Sequence, residues 1–324
     1  MIQFEVEGFL PMLSRKLFNN PMLLKRCTGL NQHQFQEVVA RTTPLWNQLE
    51  IKRLSGKKRR RAIGAGHPYH LKTMEEKLFG ILLWYKVYPA FWLLGMLLGF
   101  DAGNACKLIQ RVRPLVQKAA DPEFSLYFKR RVRNIQKGRK KISSFADLQR
   151  EFPEIAEIFI DTTEQQRLRP KKQVQKRYYS GKKKRHTLKT QLIVGIQGRI
   201  LLTSKPYAGK YHDYDMFKRE RTADMIPKQS HSCLDRGFAG VNKDFPNHQW
   251  LMPIKRNRWK RTLTQSEKIF NTKLAKKRIK VEHVISRLKK YTLLSHVFRN
   301  RITEYQTDFR NIAALTNFRL AFVT

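Results

Sequence analysis

The sequence predicts an α/β protein in two parts, a basic all-helical region over residues 1–150 and a sheet-bearing domain over residues 151–324. Three observations carry this. The chain has 324 residues, 41% hydrophobic and 11% aromatic, which is enough for two cores and excludes a wholly disordered polypeptide although 28% are charged. Residues 72–112 read as consecutive helices, whereas after Ile155 the apolar residues come in short runs separated by turn signals. Finally, 66 Lys and Arg against 25 Asp and Glu leave a net charge of +41. That surplus points to a polyanionic partner, because each neutralised phosphate releases a condensed counterion; small acidic metabolites need far fewer charges.

Several classes are excluded. Cys27, Cys106 and Cys233 are odd in number, far apart and in no CxxC pair, as expected in a reducing compartment. No basic stretch precedes an apolar one at the N-terminus, so no secretory signal is expected. No repeat recurs at a period of about 20 to 50 residues. Residues 78–100 imitate a membrane span with Lys86 as their one charge, but Lys86 and Pro89 interrupt the middle, and two packed helices explain the stretch better.

In chain order, helices are expected over Lys72–Lys86, Pro89–Leu98 and Asp101–Val112, with Gly99 in a turn and Pro114 ending the third. A helix, a Gly-containing turn and a second helix N-capped by Asp101 form the pattern of a helix-turn-helix over about residues 70–115. Asn104, Lys107, Gln110 and Arg111 are then its candidate base and phosphate contacts. A generic helical hairpin has the same pattern. Basic runs flank this region, with seven Lys or Arg between Lys52 and Arg61 and eight between Lys129 and Lys141; both suit arms crossing a phosphate backbone.

Further on, Ile155–Ile160 is a buried strand stopping at Asp161. Thr187–Ile196 and Ile200–Ser204 form a hairpin around residues 197–199, and Tyr214–Met225 is helical. Ser232–Leu234 is a short strand ending at Asp235, and His248–Ile254 is another strand. A long helix opens at the Thr264-x-x-Glu267 capping box and carries Phe270, Leu274, Val281, Ile285 and Leu288 on one face. Glu282 lies off that stripe, on the face of Arg278 and Ser286. Between Lys255 and Lys290 there are 14 basic residues and two acids, Glu267 and Glu282, so an isolated acid in that field invites a reason.

Phosphodiester cleavage with two hard divalent ions needs carboxylate ligands. Asp161 and Asp235 at strand ends and Glu282 on the long helix would suit it, although 25 acids offer many triples. Their surroundings strengthen the case. Residues 158–209, the His212-Asp213 pair, the segment LDRGFAG at 234–240 and the segment VEHVISRLKKY at 281–291 together resemble the catalytic domain of DDE-type insertion-sequence transposases, in the group shared with Harbinger-type transposases. The resemblance runs over about residues 155 to 322.

The resemblance implies a ribonuclease H-like catalytic domain, preceded by the helix-turn-helix region. It further implies Asp161, Asp235 and Glu282 as catalytic metal ligands for two Mg²⁺ ions, with Mn²⁺ as a substitute. The implied partner is double-stranded DNA, the element's terminal inverted repeats and the target, bound by a homodimer or higher assembly. The expected location is the cytoplasm of a bacterial-type host, with the nucleoid. Arg278 fits the tyrosine-arginine-glutamate signature of related elements, but the tyrosine position holds Ala275. The basic residue expected six after the glutamate is Leu288, bracketed by Arg287 and Lys289, either of which can serve.

Between Gln165 and Lys189 there are eleven Lys or Arg residues and no acid. This reads as a loop that grips DNA through Lys182, Lys183, Lys184 and Arg185, with Tyr178 and Tyr179 as stacking or core aromatics. His186 and His212 read as ordinary polar or packing histidines. Asp213 and Asp215 precede a helix and are assigned to its cap. Trp46, Trp84, Trp92 and Trp250 are read as core or interface residues, and Trp259 as a residue that can meet DNA. The alternatives to an active transposase are a transposase-derived, catalytically inactive sequence-specific DNA-binding protein, an RNA-binding protein and a DNA-entry nuclease.

Overall fold

The structure, a computed structural model, describes residues 20–55, 69–122, 124, 144–256 and 262–322. The basic run at 129–141, most of the run at 52–61 and Trp259 lie outside the described residues. The described chain is mixed α/β and divides into two compact units, residues 1–122, 289–295 and 307–324 in one and residues 123–288 and 296–306 in the other.

The first unit is helical: α1 (Pro21–Thr28), α2 (Gln32–Ser55), α3 (Met74–Val87), α4 (Phe91–Leu98) and α5 (Ala102–Ala120). Thr73 and Glu76 close a capping box on α3, whose residues 77–85 are all buried. A helix buried on every side needs no polar face, which is why its sequence imitates a membrane span. Among the described residues no helix is long and apolar enough to cross a membrane. Gly99, at φ 75°, ends α4 in the left-handed conformation that glycine adopts without cost, and Asp101 caps α5 through the Asn104 amide at 2.9 Å. Trp46 and Trp84 are buried, whereas Trp92 stands 64% exposed on α4.

Pro114 does not end α5, which runs on to Ala120. The side chain of Asn311 fills the ladder at that point. Its Nδ2 donates to the Arg113 carbonyl at 2.8 Å and its Oδ1 accepts from the Gln117 amide at 3.1 Å, replacing a helical bond. Asn311 Nδ2 also donates to the Tyr85 hydroxyl at 2.6 Å, and Asp308 takes Arg113 Nε at 2.8 Å and that hydroxyl at 3.1 Å. The network is buried, with the Arg113 and Asp308 side chains 7% and 0% exposed.

The second unit is built on a seven-stranded sheet in which β2-β3-β1-β6-β7 is the continuous path and β4 and β5 pair with β3. The strands are β1 (Glu157–Gln166), β2 (Tyr179–Ser180), β3 (Arg185–Gly195), β4 (Ile200–Thr203), β5 (Tyr207–Ala208), β6 (His231–Leu234) and β7 (Gln249–Leu251). β1 is antiparallel to β3 and parallel to β6, and β6 is parallel to β7. The helices are α6 (Phe145–Glu151), α7 (Lys172–Tyr178), α8 (Asp213–Arg219), α9 (Thr222–Met225), α10 (Val241–Asp244) and α11 (Gln265–Lys289). After them come α12 (Thr292–Ser295), which belongs to the helical unit, and α13 (Ile302–Leu320), whose residues from Thr307 on belong to that unit as well.

Three expectations are corrected. β1 does not stop at Asp161 but continues to Gln166, because Thr162–Gln166 pair with Thr187–Gln191 of β3. The segment after it is not a plain loop, since residues 172–178 form α7. The helix expected over Tyr214–Met225 breaks in two at Arg221, which takes a φ of 52°. Along β1, alternation sends Ile158 and Ile160 into a core with Phe217, Leu234 and Phe238, and turns Glu157, Phe159 and Asp161 to the opposite face.

Candidate active site

The parallel register of β1 and β6 builds the site. Ile160 stands opposite Leu234, where the pairing ends, so the next residues on the two strands, Asp161 and Asp235, come level at the same end. Asp235 leaves the sheet there and opens a short 3-10 turn, its Oδ1 accepting from the Arg236 amide at 2.6 Å. Asp161 Oδ1 accepts from the Thr162 amide at 2.8 Å. The open end of parallel strands is where α/β proteins leave room for a ligand.

Helix α11 crosses this face and is tied down by two ion pairs one residue apart. Lys277 Nζ reaches Glu157 at 2.6 Å and Arg278 Nη1 reaches Asp235 Oδ1 at 3.5 Å. Leu274, Val281, Val284 and Leu288 bury its inner side, with Val284 taking the inward place that the sequence pattern assigned to Ile285. Arg278, read from the sequence as a DNA contact, here pairs with Asp235. Glu282, one turn further along α11, is exposed and has no hydrogen bond or ion pair among the described residues. Among those residues no group of three or more His, Cys, Asp or Glu side chains stands ready to hold an ion.

A carboxylate assigned to a helix cap joins the cluster instead. Asp213 lies in the first turn of α8, but its Oδ1 turns to Lys189 Nζ at 3.1 Å, and the same ammonium donates to the Tyr211 carbonyl at 2.9 Å. Its Oδ2 sits 3.3 Å from where a side-chain carbon on Gly237 would be, a close approach two residues after Asp235. Burial raises the Asp161 carboxyl above its ordinary value, and the charges of Asp235 and Asp213 push it the same way, against the Thr162 amide and Arg278. The sequence signal for Asp213 was the His212-Asp213 pair itself; its partner Lys189 gave none, being one of several polar residues in the first half of β3.

Asp161 and Asp235 are oxygen donors of the kind that hard divalent cations take, and burial disfavours the Asp161 charge until a cation offsets it. Among the described residues no His or Cys side chain joins them. His186 stacks edge-on to Tyr179 at 5.8 Å, and His212 is exposed at the start of α8.

The expected DNA contacts fall in both units. Asn104, Lys107 and Gln110 are exposed on α5, and Arg111 lies with its guanidinium 5.6 Å from the Tyr69 ring centre. Lys182, Lys183, Lys184 and Arg185 are exposed on the turn from β2 into β3, where Lys184 has φ 54° and Arg185 reaches Gln166 Oε1 at 2.8 Å. Arg287 borders Gly198 in the β3–β4 turn, and Lys289 is exposed at the end of α11.

Residues 160–317 match the family model described as DDE superfamily endonuclease. The chain is 27% identical over 250 residues to the "Probable transposase for insertion sequence element IS702" of Microchaete diplosiphon, an alignment covering 76% of this chain and 81% of that protein. No solved structure is significantly similar to the chain.

Proposed function

Because residues 160–317 match the DDE superfamily endonuclease model, and the chain aligns over most of its length with a probable insertion-sequence transposase, we propose an active DNA transposase. It binds the terminal inverted repeats of its element, cleaves phosphodiester bonds there and joins the 3′ ends to target DNA. The observation that carries this reading is the level placement of Asp161 and Asp235 with Arg278 against Asp235.

The strand order supports a ribonuclease H-like domain: a central first strand, an antiparallel neighbour that continues into a hairpin, and two parallel strands beyond. In this reading Asp161, Asp235 and Glu282 would hold two Mg²⁺ ions, Glu282 from the helix whose Arg278 reaches Asp235. Such ions supply activation of a water or 3′ hydroxyl and stabilisation of the leaving oxygen. Arg278 aims Asp235 through their ion pair; Lys189 holds Asp213 beside it. The helix-turn-helix formed by α4 and α5, with Asn104, Lys107, Gln110 and Arg111, and the turn residues 182–185 would grip duplex DNA through phosphates and base edges. Two ends have to be paired, which calls for at least a dimer.

The test is incubation of purified protein with a plasmid carrying the gene's native flanks, in Mg²⁺, in EDTA and as Asp235→Ala, with cut strands mapped by primer extension. Metal-dependent cuts at flanking repeats, lost in the variant, are expected. Tight, salt-sensitive binding without metal-dependent cuts would instead support the catalytically inactive DNA-binding descendant.

A further inference from the structure

We propose that the cavity lined by α7, β5, Tyr211 and the end of α8 takes one unpaired nucleotide of the DNA strand that passes the carboxylates. This rests on the reading of the protein as a DNA-cleaving enzyme. The cavity has a volume of about 470 Å³, within the usual range for small-ligand sites, and Arg177, Tyr178, Lys205, Tyr207, Tyr211 and Arg219 line it.

Its chemistry is selective. Three cations and three tyrosines face one space, and the acid beside it, Glu220, is engaged by the Tyr207 hydroxyl at 2.6 Å and by Lys205 at 3.6 Å. Arg177 and Arg219 have no carboxylate partner among the described residues. Two of the three cations rest on ring faces of the same wall: Arg219 lies 5.0 Å from the Tyr211 centroid and Lys205 5.5 Å from the Tyr207 centroid. A nucleotide satisfies both halves, its phosphate drawing Arg219 away and its base taking the Tyr211 face that Arg219 leaves. A base inside a duplex cannot offer its face, so the occupant is unpaired.

The cavity is also wired to the reacting end of the sheet. Lys189 binds the carbonyl of Tyr211, in the cavity wall, and the carboxylate of Asp213, in the cluster. Gly209 lets the wall close: a side-chain carbon there would lie 2.6 Å from the Tyr178 carbonyl, and the Lys210 amide donates to the Arg177 carbonyl at 3.3 Å. A strand passing Asp161 would have this space beside it.

The experiment measures binding by fluorescence anisotropy for two labelled duplexes of the element's flank, one fully paired and one ending in a fork of unpaired nucleotides, across a salt series. Wild type is expected to bind the fork about tenfold more tightly, the scale of one base stacked on an aromatic ring. Tyr211→Ala and Arg219→Ala are expected to bring that preference below about twofold while paired-duplex affinity changes little, and Tyr211→Phe, which keeps the ring, to retain it. Lys182→Ala, outside the cavity, is expected to weaken both duplexes alike, and thermal melting checks that each variant folds. Salt-dependent binding with equal affinity for fork and paired duplex, or equal weakening of both by Tyr211→Ala, would overturn the cavity's role and leave the enzyme reading standing. Competition of fork binding by deoxyadenosine monophosphate at micromolar concentration would assign the cavity to a free nucleotide and overturn it as well. Absence of salt-dependent binding to either duplex would sink the enzyme reading and this proposal together.

Discussion

Replacing Asp161 by Asn should stabilise the metal-free protein and abolish its response to Mg²⁺. The side chain keeps its shape and the oxygen that accepts from the Thr162 amide at 2.8 Å, but loses a charge that burial, Asp235 and Asp213 all disfavour. Relaxing such a functional strain typically gains about 1 kcal/mol, which for a unit of this size moves the melting temperature by about 2–4 °C. The sign follows from the raised Asp161 pKa. Wild type is penalised once pH exceeds the ordinary carboxylate range, where the unfolded chain ionises freely, and the penalty vanishes at low pH, where both proteins are neutral at this position. Added Mg²⁺ at about ten times its dissociation constant should return about 1.4 kcal/mol to wild type and nothing to the variant. Differential scanning fluorimetry in EDTA and in Mg²⁺, at neutral and acidic pH, reads all of this. A variant that melts below wild type in EDTA, or that gains as much from Mg²⁺, would refute the placement of Asp161 in a cation site.

Four other outcomes are expected. Lys189→Met should lower urea stability by about 1–2 kcal/mol, a charged hydrogen bond discounted because the Asp213 side chain is 31% exposed; Asp213→Asn on that background should recover part, and simple additivity would count against the pair. Asp308→Ala should cost the helical unit about 3–5 kcal/mol by stranding Arg113, read from the denaturation midpoint, with Arg113→Met restoring much of it. Arg278→Ala should slow single-turnover DNA cleavage about 10–100-fold, as for other residues that orient metal ligands, and an unchanged rate would remove Arg278 from the site. Alanine at 182–185 should flatten the dependence of log affinity on log salt by about 0.9 per lost phosphate contact.

Much of the site was legible without coordinates because its signals are local. Asp161 and Asp235 follow apolar runs, and the capping box at Thr264 fixes where α11 begins; the Thr264 amide does reach Glu267 Oε2 at 2.9 Å. The capped helices α3, α4 and α5 were readable for the same reason, since caps and glycine turns are decided within a few residues. What the chain alone could decide was therefore the identity of the elements and which carboxylates they carry.

Tertiary structure decided the rest, because it depends on pairing between distant segments. Whether Asp161 ends its strand turns on β3, which continues the ladder past it. Whether Asp213 caps a helix or enters the cluster turns on Lys189, 24 residues away. Whether α5 runs on past Pro114 turns on α13, whose Asn311 side chain bonds the Arg113 carbonyl and the Gln117 amide on either side of the proline. In each case the local preference was real and weak, about 1 kcal/mol for a cap and about 3 for a proline, and a buried partner from elsewhere in the chain outweighed it.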